Sequence, residues 1–138
     1  MGARSKARRQ ALELLFEAES RNLDASELVQ DRIANPVSDT PIRPYAIEII
    51  SGVTKNRERL DELLSTYSAG WQLPRMPIID RQMLRLAVWE MLYNDDVPDA
   101  VAIAEAVNLV SELSTDNSPN FVSGLLNRIK DLSPSLIE

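Results

Sequence analysis

Cysteine and histidine are both missing from this sequence. Without thiols there is no disulfide framework and no thiolate zinc site. Without either residue, Cys–His and Ser–His nucleophilic machinery is excluded, and so are imidazole metal sites. Catalysis would be left to carboxylates or to the three lysines, Lys6, Lys55 and Lys130. The composition therefore predicts a protein that is not an enzyme. Glycine is scarce, with four residues, and β-branched runs are few, so helix is the default expectation. No apolar run approaches the roughly 18 residues that a membrane span needs. The basic N-terminus is followed by no apolar signal core, so no export signal is read and a cytoplasmic location is expected.

What the chain does have is a helical period. Ala7, Ala11, Leu14, Leu15 and Ala18 share one face of a helix expected from about Arg4 to Ser20, with Ser5 as its cap. In DASELVQDRI, Asp24 is placed to cap a shorter helix and Glu27 to close a capping box, with Leu28, Val29 and Ile33 as buried candidates. ANPVSDTP is a loop by composition, and Pro41 suits the first position of the next helix. The stripe Tyr45, Ile49, Ile50 and Val53 leads to another, Leu60, Leu63, Leu64 and Tyr67. Between them the poor helix formers of SGVTKN predict a break from Gly52 to Asn56.

SAGWQLPRMP is the clearest joint in the chain. IIDRQMLRLAVWEMLY is apolar on several sides and reads as the central helix. Pro98 opens the next helix, with Ala102, Ile103, Ala106, Val107 and Val110 as its stripe. Ser118 as cap and Pro119 at the first helical position open the last, which carries Phe121, Val122, Leu125, Leu126 and Ile129. The expectation is an all-α protein of about seven helices, a single domain over 1–138. Its helices fall in two groups split near Gly70, about 1–70 and 71–138.

Charge is distributed unevenly. The chain holds 21 Asp and Glu against 15 Lys and Arg. Yet Arg4, Lys6, Arg8 and Arg9 crowd the amino end of the first helix, where the helix dipole makes each cation unfavourable by about 0.3–1 kcal/mol. Such a cluster is either a solvated basic end or a phosphate-binding arm. If about four phosphates of a single strand are neutralised, affinity falls on the order of 50-fold between about 50 and 200 mM salt. An acidic body does not make up that loss, so the arm needs base contacts or a second protein.

Phe16, two turns beyond Arg8, is either core or, if exposed, a surface on which a base stacks. In DRQMLR, Asp80 suits a helix start. Arg81 and Arg85, one turn apart, are expected on the single wet stripe of an apolar helix, paired with surface carboxylates or offered to phosphate. Asp95, Asp96 and Asp116 read as turn and cap residues. Gly124 reads as a point of close helix packing.

Three stretches taken together, RRQALELLF, DRQMLRLAVWEMLYNDDVPDAVAIAEAV and LSTDNSPNFVSGLLNRI, resemble in order and spacing the NusB family of bacterial transcription antitermination factors. That family reads D-R-x-x-L-R-hydrophobic-A, then V-P with A-I-N-E-A, then F-V-N-G. The resemblance implies two small helical bundles packed across each other. It also implies a non-enzymatic role: binding the single-stranded boxA RNA of ribosomal RNA operon leaders together with NusE, a small-subunit ribosomal protein, within an RNA polymerase antitermination complex. Carried over by position, it implies RNA contacts from Arg4, Lys6, Arg8, Arg9 and Phe16. Asp80, Arg81 and Arg85 match a surface for RNA or NusE, and Asn117 with Phe121 matches the junction of RNA and partner. Two positions depart from the pattern: Ala104 and Ser123 stand where the family has Asn.

Two other classes of function compete with this one. One is an accessory domain of the kind fused to RNA cytosine methyltransferases, for which this chain shows no cofactor loop. The other is a self-associating storage homodimer whose apolar helix faces pair.

Overall fold

The computed structural model describes the backbone of residues 2–136 and the side chains of residues 2–132. Seven α-helices and one 3-10 turn account for the described chain, and no strand occurs among the described residues. The helices are α1 Ala3–Ser20, α2 Ala25–Ala34, α3 Pro44–Lys55, α4 Arg57–Tyr67, α5 Ile78–Tyr93, α6 Asp99–Leu113 and α7 Ser118–Leu136. The 3-10 turn is Leu73–Arg75. No helix among the described residues is long and apolar enough to cross a membrane.

Packing divides the chain into two compact units, Met1–Lys55 and Asn56–Glu138. In the first, α1, α2 and α3 pack pairwise. Ala7, Ala11, Leu14, Leu15 and Ala18 are all buried, as their period predicts, with Leu28, Val29, Ile49, Ile50 and Val53. Gly2 is the N-cap of α1 and contributes no side chain, so Ser5 is not the cap. The α1–α2 turn is a Schellman motif: Leu23 N–H reaches the Ala18 carbonyl at 2.7 Å and Asn22 N–H reaches that of Glu19 at 3.1 Å. Asn22 takes the left-handed φ of 54° that this motif requires and that asparagine tolerates.

Asp24 caps α2 as expected, its carboxylate accepting the Glu27 N–H at 3.0 Å. Helix α3 begins at Pro44 and not at Pro41. The Gln10 amide holds the segment before it, donating to the Pro41 carbonyl at 3.0 Å and accepting the Arg43 N–H at 2.9 Å. Ile33, expected inside, is 49% exposed.

In the second unit α5 packs on α4, α6 and α7, and α4 also touches α7. Eleven of the sixteen residues of α5 are buried, Trp89 among them, which confirms it as the central helix. The expected boundary near Gly70 needs correction, because α4 belongs with α5 and α7. Leu60, Leu63 and Leu64 are buried, Asp61 binds Arg85 of α5, and the Tyr67 carbonyl accepts from Arg128 of α7. Helix α4 follows α3 after Asn56 alone, within the predicted break. Gly124 is exposed, and a Cβ built there meets nothing within 4 Å, so it does not mark close packing.

Candidate nucleic-acid interface

Helix α1 starts without a side-chain cap and without an acidic residue in its first turn. Arg4 and Lys6 are exposed, Arg9 is partly exposed, and Arg8 is buried at 2%. Arg4 and Arg8 lie one turn apart on the same face, and both meet Tyr45 of α3. The Arg4 guanidinium carbon lies 5.1 Å from the ring centroid and that of Arg8 5.9 Å. The negative face of the ring offsets part of the dipole penalty, by about 0.5–1 kcal/mol for an exposed cation. Arg9 reaches Glu13 at 3.4 Å, an exposed i, i+4 pair in the weaker orientation.

The four cations thus do not form one outward-facing arm. Lys6 and, beside its contact with Tyr45, Arg4 are exposed, whereas Arg8 is buried. Tyr45, which periodicity assigns to an apolar stripe, helps to hold the guanidinium groups of this end.

Phe16 is 39% exposed, which removes the core alternative for it. Beside it Glu17 receives Arg21 at 2.7 Å and Arg32 of α2 at 2.6 Å. The hydrogen bond from Arg32 is the main cause that holds the Glu17 carboxyl below the usual glutamate value, against the opposing effect of desolvation. A depressed folded value stabilises above the unfolded value and is lost as pH falls through the folded one. Arg32→Ala is therefore expected to lower the thermal midpoint slightly at neutral pH and to have no effect on the acid side of that titration. Melting curves across the acid range check this, and an equal loss at every pH would contradict it.

The basic group of α5 has a different role from the one its spacing suggests. Asp80 is buried at 2% and accepts Ser114 Oγ at 2.6 Å and Ser118 Oγ at 2.8 Å. Each serine hydroxyl has one proton, and both are spent on the carboxylate. Ser118 Oγ can then accept the Thr115 N–H at 3.2 Å and the Thr115 hydroxyl at 2.7 Å. Asp80 thereby joins the start of α5 to the end of α6 and the start of α7.

Arg81 donates to the carbonyls of Leu73, at 3.2 Å, and Met76. Arg85, its side chain 4% exposed, grips Asp61 with Nε at 2.7 Å and Nη2 at 3.2 Å. Arg85 therefore does not lie on a wet stripe. Asp80 and Arg85 are thus buried and bonded within the unit, against the expectation of an open surface there, whereas Arg81 is partly exposed. Of the alternatives open to Arg85, the carboxylate partner holds.

At the start of α7, Asn117 is exposed and its carbonyl accepts the Phe121 N–H at 3.2 Å. Phe121 is partly exposed, and its ring lies 5.8 Å from that of Trp71 at an interplanar angle of 55°. Trp71, 55% exposed, is a surface aromatic that the sequence places only in a joint.

The fold has known counterparts. A model of the NusB family matches residues 5–131. A transcription antitermination protein NusB from Beutenbergia cavernae is 52% identical, over 99% of this chain and 94% of its own length. The chain belongs to the NusB family. The NusB structure from T. maritima is 32% identical with a TM-score of 0.82, covering 94% of this chain and 92% of that one. A chain in a crystal structure of antitermination factors NusB and NusE in complex with dsRNA shares the fold at 21% identity and a TM-score of 0.78, over 93% and 96% of the two chains.

Members of the NusB family are not enzymes, so the residues above are to be judged as binding or scaffold groups. The two departures from the NusB pattern lie together along the α6–α7 seam. Ala104 is exposed, Ser123 is partly exposed, and both line a shallow groove of about 380 Å³ with Asn108, Asn127 and Lys130. Asn127 donates to the Ser123 carbonyl at 2.9 Å within α7.

Proposed function

We propose that this protein is a cytoplasmic transcription antitermination factor that binds boxA-type single-stranded RNA of ribosomal operon leaders together with NusE. It does so within an RNA polymerase antitermination complex and without cofactor or metal. Membership of the NusB family supports the reading, as does the fold shared with a NusB chain crystallised with NusE and dsRNA. The observation that carries it is the solvent-facing pair Arg4 and Lys6 at a helix end with no acid in its first turn. Cations placed against the helix dipole suit an external anion, and RNA phosphate supplies one. Arg9 and the exposed face of Phe16 extend the strand-binding surface, and Asn117 with Phe121 forms a second candidate contact for RNA or NusE.

The test is the affinity of a boxA strand and a scrambled strand, each with and without NusE, across a salt series. Discrimination between the strands is expected to be strongest with NusE present. The double variant Arg4→Ala, Lys6→Ala is expected to weaken boxA binding and to flatten the salt slope by about 1.4, from about 0.7 per phosphate on a single strand. Its thermal midpoint should change little, since the loss of two charges unfavourable to the helix end is set against the loss of the Arg4 contact with Tyr45. Equal affinity and slope for variant and parent would defeat the proposal.

A further inference from the structure

A second contact for the strand lies wholly within the unit 56–138, at the loop that follows α4. Ser68 ends the helix, and Ala69 and Gly70 then take left-handed φ values of 54° and 90°. The backbone of Trp71 is fixed at both its polar groups. Its N–H reaches the Ser68 carbonyl at 3.2 Å, and its carbonyl accepts the buried Ser68 hydroxyl at 2.5 Å. So anchored, the residue still leaves 55% of its surface in solvent, beside the Phe121 ring at 5.8 Å. A concavity of about 280 Å³ adjoins it, lined by Ala69, Gly70, Trp71, Gln72 and Arg75.

We infer that Trp71 and Phe121 form a stacking platform for one unpaired nucleobase, with Gln72 facing its edge and Arg75 its phosphate. The inference rests on the RNA-binding reading above and adds to the contact at Phe121 a residue, Trp71, that neither the cation cluster nor the family motifs supply. Three observations favour a base over a protein side chain. The exposed surface is aromatic and not aliphatic, and every base offers a π-face to such a ring. The residues around it, Gln72, Arg75 and Asn117, are exposed hydrogen-bonding groups and not the apolar ring expected at the centre of a protein interface. The concavity is small, suited to one planar group. An arginine beside an aromatic face also serves the two parts of a nucleotide at once, its base and its phosphate.

The test measures a labelled boxA oligoribonucleotide by fluorescence anisotropy against the full chain, with and without NusE. Trp71→Ala is expected to weaken binding by about 5- to 100-fold, the range for one stacked base, and to leave the salt slope unchanged because no phosphate contact is lost. Trp71→Phe is expected to keep most of the affinity. An abasic ribose scanned along the strand should find one position whose loss matches that of Trp71→Ala and adds nothing in that variant. This arm uses the unaltered protein and is free of any folding effect. If Trp71→Ala binds RNA like the parent while the Arg4, Lys6 variant is weakened, the platform is refuted and the proposed function stands. If the parent binds neither strand, the RNA reading fails and the platform falls with it. If Trp71→Ala weakens NusE binding to the same extent without RNA, the surface faces a protein and the inference is overturned.

Discussion

Replacing Asp80 by alanine is expected to lower the stability of the protein by about 3 kcal/mol, on the order of 10 °C in Tm. The carboxylate is 2% exposed and takes the protons of Ser114 and Ser118. Hydrogen bonds to a charged acceptor contribute about 1.5–3 kcal/mol each, and their loss leaves two hydroxyl donors in a dry site. Part is recovered because Ser114 and Ser118, 3.0 Å apart, can bond to each other. Asp80→Asn keeps one acceptor oxygen and should lose about 1 kcal/mol. Urea unfolding measures both. A loss below about 1 kcal/mol for Asp80→Ala would show that the network does not hold the three helix ends together. RNA affinity per folded molecule should not change, and this separates a scaffold residue from a contact residue.

The second large effect is expected at Asp61. Asp61→Ala removes the bidentate acceptor of Arg85, whose side chain is 4% exposed. Breaking a fully buried pair costs about 3–5 kcal/mol; with the Asp61 side chain 28% exposed, a loss of about 2–3 kcal/mol is expected here. The double change Asp61→Leu, Arg85→Met should recover most of it, since replacing both partners removes the desolvated charge together with its need for a partner. Denaturant titrations of Asp61→Leu, Arg85→Met and the double variant give the coupling directly. Additive losses would mean that the pair contributes nothing as a pair.

These two positions also show where a one-dimensional reading stops. The spans of the helices were largely legible because each carries an apolar period, and some ends are marked as well, as Asp24 marks that of α2 by capping it. The division into units was not. A joint marked by Gly70, Pro74 and Pro77 is conspicuous in the sequence, yet it lies inside one packed unit, while the division found by packing passes between Lys55 and Asn56. Local composition reports where the chain turns and says nothing about which helices it packs against.

The site shows the same limit. Arg85 and Asp61 are 24 residues apart, and Arg81 bonds to carbonyls that have no signature in sequence, so both arginines read as surface charge. The exposure of Arg4 and Lys6 was legible, because a cation in the first turn of a helix has few neighbours to cover it. Arg8 was not, since its burial beside Tyr45 depends on a residue 37 positions away in another helix. Trp71 was hidden for a simpler reason: an aromatic within a turn reads equally well as a plug or as a surface.

The placement of the two tryptophans has a practical consequence. Trp71 and Trp89 both lie in 56–138, one 55% exposed and the other 6%. Indole emission during denaturation is therefore a record of that unit alone. Helices α1 to α3 contribute to the far-ultraviolet dichroism but not to the emission, so the two signals coincide only where both units melt as one.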